Sequence, residues 1–288
     1  MLNFGGLPRE YSGEESSAIV IIPVPYDGTS TWIKGADRGP EAIIEASANM
    51  ELYDIETDSE VYKLGIFTSG PVIEKSSPER MSAAVYERVK HFIDRNKFTV
   101  ITGGEHSVSI GSMKAFAKKY DNLSILQIDA HSDMRNEYEG SDHNHACVMA
   151  RARELAPLVQ VGIRSCDAGE LEIADPERVF YAYQIHDNEQ WMDRAVGLLS
   201  DNVYMTIDLD AFDPSIMPST GTPEPGGMGW YQTLAFIKKV IETRNLAGFD
   251  VVELCPSKAN RAPDFLAAKL IYRILSMHFA KSKNLKNI

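Results

Sequence analysis

Apolar segments typical of strands alternate with amphipathic segments of helical period, and this alternation limits the fold more than any other feature. The strand candidates are rich in β-branched residues: "SAIVIIPVP", "FTVITGG", "LSILQID", "LVQVGIR", "NVYMTIDLD" and "AGFDVVEL". The helix candidates include "MSAAVYERVKHFIDR", "SMKAFAKKY", "CVMARARELA", "NEQWMDRAVGLLS", "WYQTLAFIKKVIET" and "PDFLAAKLIYRILSMHFA". Because nearly continuous apolar strands are buried on both faces, we predict an α/β fold with helices on both sides of a central parallel sheet.

The length of the chain is compatible with one such domain. Its 288 residues contain no internal repeat, low-complexity segment or linker-like stretch that would divide them. We therefore predict a single domain over residues 1–288. Within it, an N-terminal extension (1–16) and a basic tail (281–288) should be peripheral.

The charge balance disfavours polyanionic partners. With 41 acidic and 29 basic residues, the formal net charge is −12, which opposes binding to nucleic acids and anionic membranes and favours small cationic molecules. The sequence shows neither a signal-peptide pattern nor an apolar run of membrane-spanning length, so we predict a cytoplasmic protein. Cys147, Cys166 and Cys255 are widely spaced, which predicts buried or partly buried thiols rather than disulfides or a zinc site.

Side chains that can bind metal follow three of the predicted strands. They are His106 after "FTVI", Asp129, His131 and Asp133 after "LSILQI", and Asp208 and Asp210 after "NVYMTI". Ligands of parallel sheets bind beyond the carboxyl ends of the strands, and a spacing of two residues turns side chains to one side. So many carboxylates would repel one another without cations. Since chance would have to act at three strand ends, we predict a two-metal site, and the thiolate-free ligand set favours Mn²⁺.

Longer blocks around these residues resemble a known family. "TGGEHS", "IDAHSDMR", "TIDLDAFDPSIMPSTGTPEPGGM" and "GFDVVEL" are similar, in this order, to the signature blocks of the ureohydrolases, the arginase and agmatinase family. "IPVPYDGTSTWIKGADRGPEAI" resembles the family's first strand and loop. The resemblance covers most of the chain. It implies one three-layer α/β/α domain of arginase-like fold, two Mn²⁺ ions per subunit and a homotrimer or homohexamer.

The resemblance also implies how the metal ligands are shared. The implied ligands are His106, Asp129, Asp133 and Asp208 for one ion, and His131, Asp129, Asp208 and Asp210 for the other. Asp129 and Asp208 would therefore bridge the two ions. Two cations that share a water molecule lower its pKa towards neutrality and supply a hydroxide. Four carboxylates, this hydroxide and two divalent cations leave one negative charge, which suits a cationic guanidino substrate.

Further roles follow from the same resemblance. Glu253 would bind the guanidinium group through a charge-assisted pair, and Thr222 would lie near the substrate. In "GSDHNHAC", His145 would transfer protons, with His143 as the alternative, because imidazoles titrate near neutral pH. We predict His145, Glu253 and the bridging Asp129 as catalytic residues.

Two acidic neighbours of the metal-ligand blocks receive other roles. Glu105 adjoins His106 but alternates away from it, so it should support the site rather than bind metal. Asp213 precedes Pro214 and should form a turn.

One position departs from the arginase pattern. Arg135 stands two residues after the last aspartate of "DAHSD", where arginases have an asparagine, and here Asn136 follows it. This departure weakens an arginase interpretation, although an arginine could receive a substrate carboxylate.

The sequence therefore predicts a manganese-dependent amidinohydrolase that releases urea from a guanidino compound. Agmatine is the leading substrate, and its product putrescine would connect the enzyme to polyamine biosynthesis. The alternatives are an arginase or guanidino-acid hydrolase on the same scaffold, and a non-catalytic relative that binds without turnover. The intact ligands and Glu253 argue against the non-catalytic relative. A zinc deacetylase of related fold needs one metal site, so His106 and Asp210 disfavour it.

Overall fold

A parallel sheet of eight strands forms the centre of the computed structural model, which describes residues 2–281. The strands are β1 (Ile19–Val24), β2 (Ile66–Thr68), β3 (Phe98–Gly103), β4 (Leu123–Ile128), β5 (Leu158–Ile163), β6 (Val179–Tyr181), β7 (Asn202–Asp208) and β8 (Asn245–Val252). Their order is β2-β1-β3-β8-β7-β4-β5-β6, and all neighbours are parallel. The carboxyl ends of the strands therefore lie at one edge of the sheet.

Helices cover both faces of this sheet. They are α1 (Gly39–Ser47), α2 (Pro78–Ile93), α3 (Ser109–Lys119), α4 (Val148–Leu155), α5 (Ala168–Ile173), α6 (Ala182–Ile185), α7 (Gln190–Gly197), α8 (Trp230–Thr243) and α9 (Ala262–Lys281). Helices α1, α7, α8 and α9 pack in one apolar cluster with Ile19 and Ile21 of β1. Helices α2, α3 and α4 pack in the other with Val20 and Ile22, because alternate residues of a strand face opposite sides. This confirms the predicted single three-layer α/β/α domain.

Local sequence signals explain why individual helices begin and end where they do. Ser77 precedes α2, and its side chain accepts a hydrogen bond from the backbone of Arg80 at 3.3 Å. Pro78 follows at the first helical position, where its missing N–H is tolerated. Lys90 and His91 lie in the last turn, near the negative end of the helix dipole.

All six predicted strands are confirmed, and two further strands were not predicted. Strands β2 and β6 have three residues each and lie at the two edges of the sheet. Such short segments carry too little periodicity to be recognised from sequence. The same holds for the short helices α5 and α6, with six and four residues.

Two expectations about the periphery require correction. The N-terminal extension is not wholly peripheral, because Phe4 and Leu7 are buried in the core. Cys166 is exposed, contrary to the expectation of a buried or partly buried thiol. The predicted tail, apart from Lys281 at the end of α9, lies outside the described residues. Among residues 2–281, every helix is too short or too polar to cross a membrane.

Candidate active site

Four neighbouring strands in the middle of the sheet deliver the predicted site residues. The four strands are neighbours in the order β3-β8-β7-β4. His106 follows β3, Glu253 follows β8, Asp208 ends β7 and Asp129 follows β4. Since the strands are parallel neighbours, their ends place these side chains beside one another. Residues that lie over 100 positions apart in the sequence therefore meet at one edge of the sheet.

The first group of potential ligands surrounds the imidazole of His106. The distances from its Nδ1 atom are 3.1 Å to Asp129 Oδ2, 3.1 Å to Asp133 Oδ2 and 3.3 Å to Asp208 Oδ2. All four side chains are buried. Three carboxylate oxygens and one ring nitrogen thus face a common point.

The surroundings of His106 orient its ring towards that point. Its Nε2 lies 2.8 Å from the hydroxyl of Thr206, which donates a hydrogen bond to Asp250 at 2.6 Å. Because this hydroxyl proton goes to Asp250, the Thr206 oxygen is free to accept Nε2–H. The Nδ1 lone pair is then turned to the carboxylates. This buried atom has no hydrogen-bond partner within residues 2–281, which is the arrangement expected of a metal ligand.

A second group lies next to the first and shares Asp129 with it. His131 Nδ1 is 2.9 Å from Asp210 Oδ2 and 3.8 Å from Asp129 Oδ1. The backbone N–H of Asp210 donates to Asp208 Oδ1 at 2.9 Å. Ligand atoms of Asp129, His131 and Asp210 lie close enough together to hold one ion. The structure thus brings all six predicted ligand residues into two adjacent groups.

The carboxylates of the two groups cannot all ionise easily without cations. Burial, followed by repulsion from neighbouring carboxylates, raises the pKa of Asp129 to about 7 and that of Asp208 well above its usual value. Burial also opposes ionisation of Asp210, but its contact with His131 lowers the Asp210 pKa to about 2. Bound divalent cations would stabilise the ionised form of each carboxylate. The donor set therefore fits a binuclear metal centre.

Two buried glutamines that were not predicted from the sequence support Asp129. The side-chain amide of Gln127 donates to Asp129 Oδ2 at 2.7 Å and to the His131 carbonyl at 3.0 Å. Gln160 in turn donates to Gln127 Oε1 at 2.6 Å. The available signal was a single glutamine in each of two mainly apolar strands, since buried polar groups require partners.

Arg164 is a further supporting residue that was missed. Its guanidinium group donates to the backbone carbonyls of Asp210 at 2.6 Å, Glu224 at 2.8 Å and Pro225 at 3.1 Å. It therefore ties the segment that carries Asp210 to the loop around Thr222. No side-chain motif could reveal this role, because the partners are main-chain oxygens.

The loop that contains Thr222 is fixed by Asp213. The Asp213 carboxylate accepts hydrogen bonds from the backbone of Ser215 at 3.0 Å, Gly226 at 3.0 Å and Gly227 at 3.1 Å. This geometry agrees with the predicted turn. Thr222 itself is exposed and lines the cavity described below.

Gly104 allows the loops after β1 and β3 to touch. A Cβ atom at this position would lie 1.8 Å from the carbonyl oxygen of Tyr26, so any other residue would force the loops apart. The next residue, Glu105, is fully buried and accepts hydrogen bonds from Thr29 Oγ1 at 2.8 Å and from Ser107. Burial raises the pKa of Glu105 to about 7, against the effect of these donors. Glu105 thus supports the loops around the site through these hydrogen bonds.

A cavity of about 300 Å³ opens over the two groups of ligands. Its lining includes every other predicted site residue: Arg135, His145, Thr222 and Glu253. Tyr138, Cys166 and Asp167 also line it. The predicted substrate and metal positions therefore share one cavity.

Glu253 adopts a backbone conformation that is unusual for its residue type. Its φ angle is 65°, in the left-handed region that disfavours residues with a Cβ atom. The backbone N–H of Glu253 donates to Gly104 at 2.8 Å, and its Oε1 accepts from the backbone of His106 at 2.7 Å. Burial, followed by the charge of Glu105, raises the pKa of Glu253 well above its usual value. A nearby cation, such as a guanidinium, would favour its ionised form.

The two candidate histidines lie in different surroundings. His145 lines the cavity, and its Nδ1 is 3.1 Å from Thr29 Oγ1. Burial lowers the pKa of His145, so its neutral form is favoured at neutral pH. His143 Nδ1 instead lies 2.6 Å from Oδ1 of the exposed Asp142. The geometry therefore favours His145 as the proton-transfer residue.

Arg135 is held by neighbouring side chains at the mouth of the cavity. Its Nη2 lies 3.6 Å from Asp167 Oδ2, and its guanidinium carbon lies 4.7 Å from the centre of the Tyr138 ring. Both contacts compensate its positive charge. Repulsion of a cationic substrate by Arg135 is correspondingly reduced.

Comparisons with known proteins agree with this geometry. The sequence model of the arginase family matches residues 17–277. An N(1)-aminopropylagmatine ureohydrolase from Synechocystis is 38% identical, over 90% of this chain and 88% of that protein. An agmatinase from Pyrococcus horikoshii is 32% identical, over 90% and 91% of the two chains. The crystal structure of agmatine ureohydrolase from Thermoplasma volcanium superposes with a TM-score of 0.88 at 28% identity, over 98% and 96% of the two chains.

Proposed function

The chain belongs to the arginase family, and we propose on this basis that it hydrolyses a guanidino amine to urea and an amine. The observation that carries the proposal is the convergence of six histidine and aspartate side chains on one cavity that also contains Glu253 and His145. A fold-supporting role for these residues would not explain the unpartnered Nδ1 of His106 or the left-handed backbone of Glu253.

We propose two Mn²⁺ ions as the cofactor. His106, Asp129, Asp133 and Asp208 would hold one ion, and His131, Asp129, Asp208 and Asp210 the other. Carboxylates and imidazoles without a thiolate suit ions of this hardness. When bound, the pair would supply a water molecule acidified towards neutral pH as the nucleophile.

The protein's own residues would bind the substrate and move its protons. The Glu253 carboxylate would pair with the guanidinium group and place its central carbon over the metal centre. His145 Nε2 would donate a proton to the leaving amine nitrogen as the carbon–nitrogen bond breaks. The lowered pKa of His145 suits this role, because it makes the protonated ring a stronger acid.

Agmatine is the proposed substrate. Arg135 is paired with Asp167 and packed on Tyr138, so it is not freely available to a substrate carboxylate. This favours an amine over arginine or a guanidino acid. N(1)-aminopropylagmatine is the second candidate, because it gives the Synechocystis relative its name. A homotrimeric or homohexameric assembly is a further proposal that follows from the family resemblance. A place in polyamine biosynthesis follows from the product putrescine, and a cytoplasmic location stays a prediction from the sequence pattern.

Urea release from a panel of substrates tests the proposal. Manganese-loaded protein should have a higher kcat/KM for agmatine than for arginine or 4-guanidinobutyrate, with N(1)-aminopropylagmatine tested alongside. Glu253→Gln should lower this kcat/KM by a factor equivalent to roughly 1.5–3 kcal/mol, the value of a hydrogen bond to a charged group. Equal or better efficiency with arginine or the guanidino acid would replace the proposed substrate by the alternative. If none of the four substrates releases urea, the protein would be a non-catalytic binding protein instead.

A further inference from the structure

We propose that Thr29 is a positioning residue for catalysis, whose hydroxyl fixes both the orientation of the His145 ring and the ring nitrogen that carries the proton. Glu105 holds this hydroxyl in place. The inference rests on the function proposed above, in which His145 transfers a proton to the leaving amine. It extends that function to two buried residues from different loops.

The contacts of Thr29 connect the loops that follow three strands. Thr29 lies after β1, Glu105 after β3 and His145 after β4. Thr29 Oγ1 donates to Glu105 Oε2 at 2.8 Å and accepts the backbone N–H of His145 at 3.0 Å. The same oxygen lies 3.1 Å from His145 Nδ1. One hydroxyl group therefore contacts both the backbone and the ring of the candidate proton-transfer residue.

The direction of these hydrogen bonds determines the state of the ring. The hydroxyl and the backbone N–H of Ser107 both donate to Glu105, so the ionised Glu105 carboxylate accepts in each contact. A threonine hydroxyl has one proton, and the ionised carboxylate of Glu105 receives it. Towards His145 Nδ1, Thr29 Oγ1 can only accept. A neutral His145 must then carry its proton on Nδ1 and keep the lone pair on Nε2.

This tautomer is the one that the reaction requires. Nε2 takes up a proton from solvent water and gives it to the leaving amine nitrogen. That nitrogen also receives the electron pair of the carbon–nitrogen bond, which breaks once the attacking water oxygen has bonded to the guanidino carbon. Nδ1–H stays bound to Thr29 throughout and prevents rotation of the ring. Without the hydroxyl, His145 could rotate or exchange tautomers, and only part of the molecules would present the correct nitrogen.

Thr29→Val tests the hydroxyl without a large change in shape, and Thr29→Ser restores it. Thr99→Val is a matched control, because Thr99 is also buried but its hydroxyl has no hydrogen-bond partner in the described part of the chain. Thr29→Val should lower kcat by about 10- to 100-fold, with KM and manganese content within about twofold of the original. Thr29→Ser should recover most of kcat, and Thr99→Val should change neither parameter.

Three outcomes of these measurements of kcat and manganese content would overturn the proposal. An unchanged kcat in Thr29→Val would show that the hydroxyl is dispensable. An equal loss in Thr29→Ser would assign the effect to packing of the methyl group. A loss of manganese that accounts for the lost activity would assign the hydroxyl to the metal centre.

Nitrogen NMR of the histidine rings tests the tautomer without relying on turnover. The full chain, labelled with ¹⁵N-histidine and measured with Mg²⁺ instead of paramagnetic Mn²⁺, should show His145 with its proton on Nδ1. The His145 signal is identified by its absence in His145→Asn, and in Thr29→Val it should shift towards the Nε2–H form. An Nε2–H ring in the unsubstituted protein refutes the inference even if the enzyme is active. The Nδ1–H form in a protein that releases no urea would instead refute the proposed function alone.

Discussion

Replacing Asp129 with asparagine should stabilise the metal-free protein at alkaline pH, although it removes a proposed metal ligand. In the folded protein, burial and neighbouring carboxylates raise the pKa of Asp129 from 3.8 to about 7. Between these values the folded chain binds more protons than the unfolded chain. The folding free energy from this group is therefore most favourable below about pH 4 and is lost as the pH rises towards 7.

The size of the effect follows from the same pKa values. A pKa difference of one corresponds to about 1.4 kcal/mol, so a pKa of about 7 instead of 3.8 is worth about 4 kcal/mol. The pKa of Asp208 is raised as well, and the two carboxyls contact the same imidazole. Because Asp208 remains to be ionised in Asp129→Asn, about 4 kcal/mol is an upper limit for what this substitution can restore at pH 8.

Urea denaturation of chelator-treated protein at pH 5 and pH 8, followed by tryptophan fluorescence, measures this difference. The original protein should lose more free energy of unfolding between the two pH values than Asp129→Asn does. Asp121→Asn, at an exposed position, is the control and should behave like the original. Added Mn²⁺ should stabilise the original protein at pH 8 and leave Asp129→Asn almost unchanged. An identical pH dependence in the original and Asp129→Asn would refute the reasoning.

Three other substitutions separate metal binding, proton transfer and loop support. Asp208→Ala should abolish bound manganese and nearly all urea release, because Asp208 is a proposed ligand of both ions; elemental analysis with near-normal metal would contradict this. His145→Asn should lower kcat far more than metal content, and His143→Asn should change neither; the reverse pattern would make His143 the proton-transfer residue. Arg164→Lys should weaken manganese affinity about tenfold in a metal titration, since lysine cannot donate to all the carbonyls through which Arg164 holds the Asp210 segment. Unaltered affinity would show that this segment keeps its position without the guanidinium group.

The sequence was most informative where local pattern and burial coincide. Strands buried on both faces must be nearly continuously apolar, so the interior strands were visible as apolar runs. The polar residues at their ends were conspicuous for the same reason. Edge strands β2 and β6 lack this signal because they are short. Phe4 and Leu7 are buried, but the segment around them is too short to show a period that would reveal their core positions.

Residues that act through distant partners could not be predicted. Gln127 and Gln160 support Asp129 as a pair from two strands, and Arg164 binds main-chain oxygens. The state of Arg135 depends on Asp167, 32 positions later in the chain. Sequence pattern indicates which chemical groups are present at a strand end. Their tautomers, pairing and charge depend on loop geometry that no single stretch encodes.

The geometry of the site also explains why its stability and its chemistry oppose each other. Asp129, Asp208 and Glu253 are brought together at strand ends where burial raises the pKa of each, and Glu253 additionally has a left-handed backbone. The ionised carboxylates cost folding free energy in the absence of cations, and the left-handed backbone adds a steric cost of its own. Burial of the apolar faces of the central strands in both clusters offsets this cost. Cations at the metal centre and a guanidinium beside Glu253 would remove the electrostatic part of this cost. The same buried carboxylates therefore destabilise the empty site and favour the binding of cations.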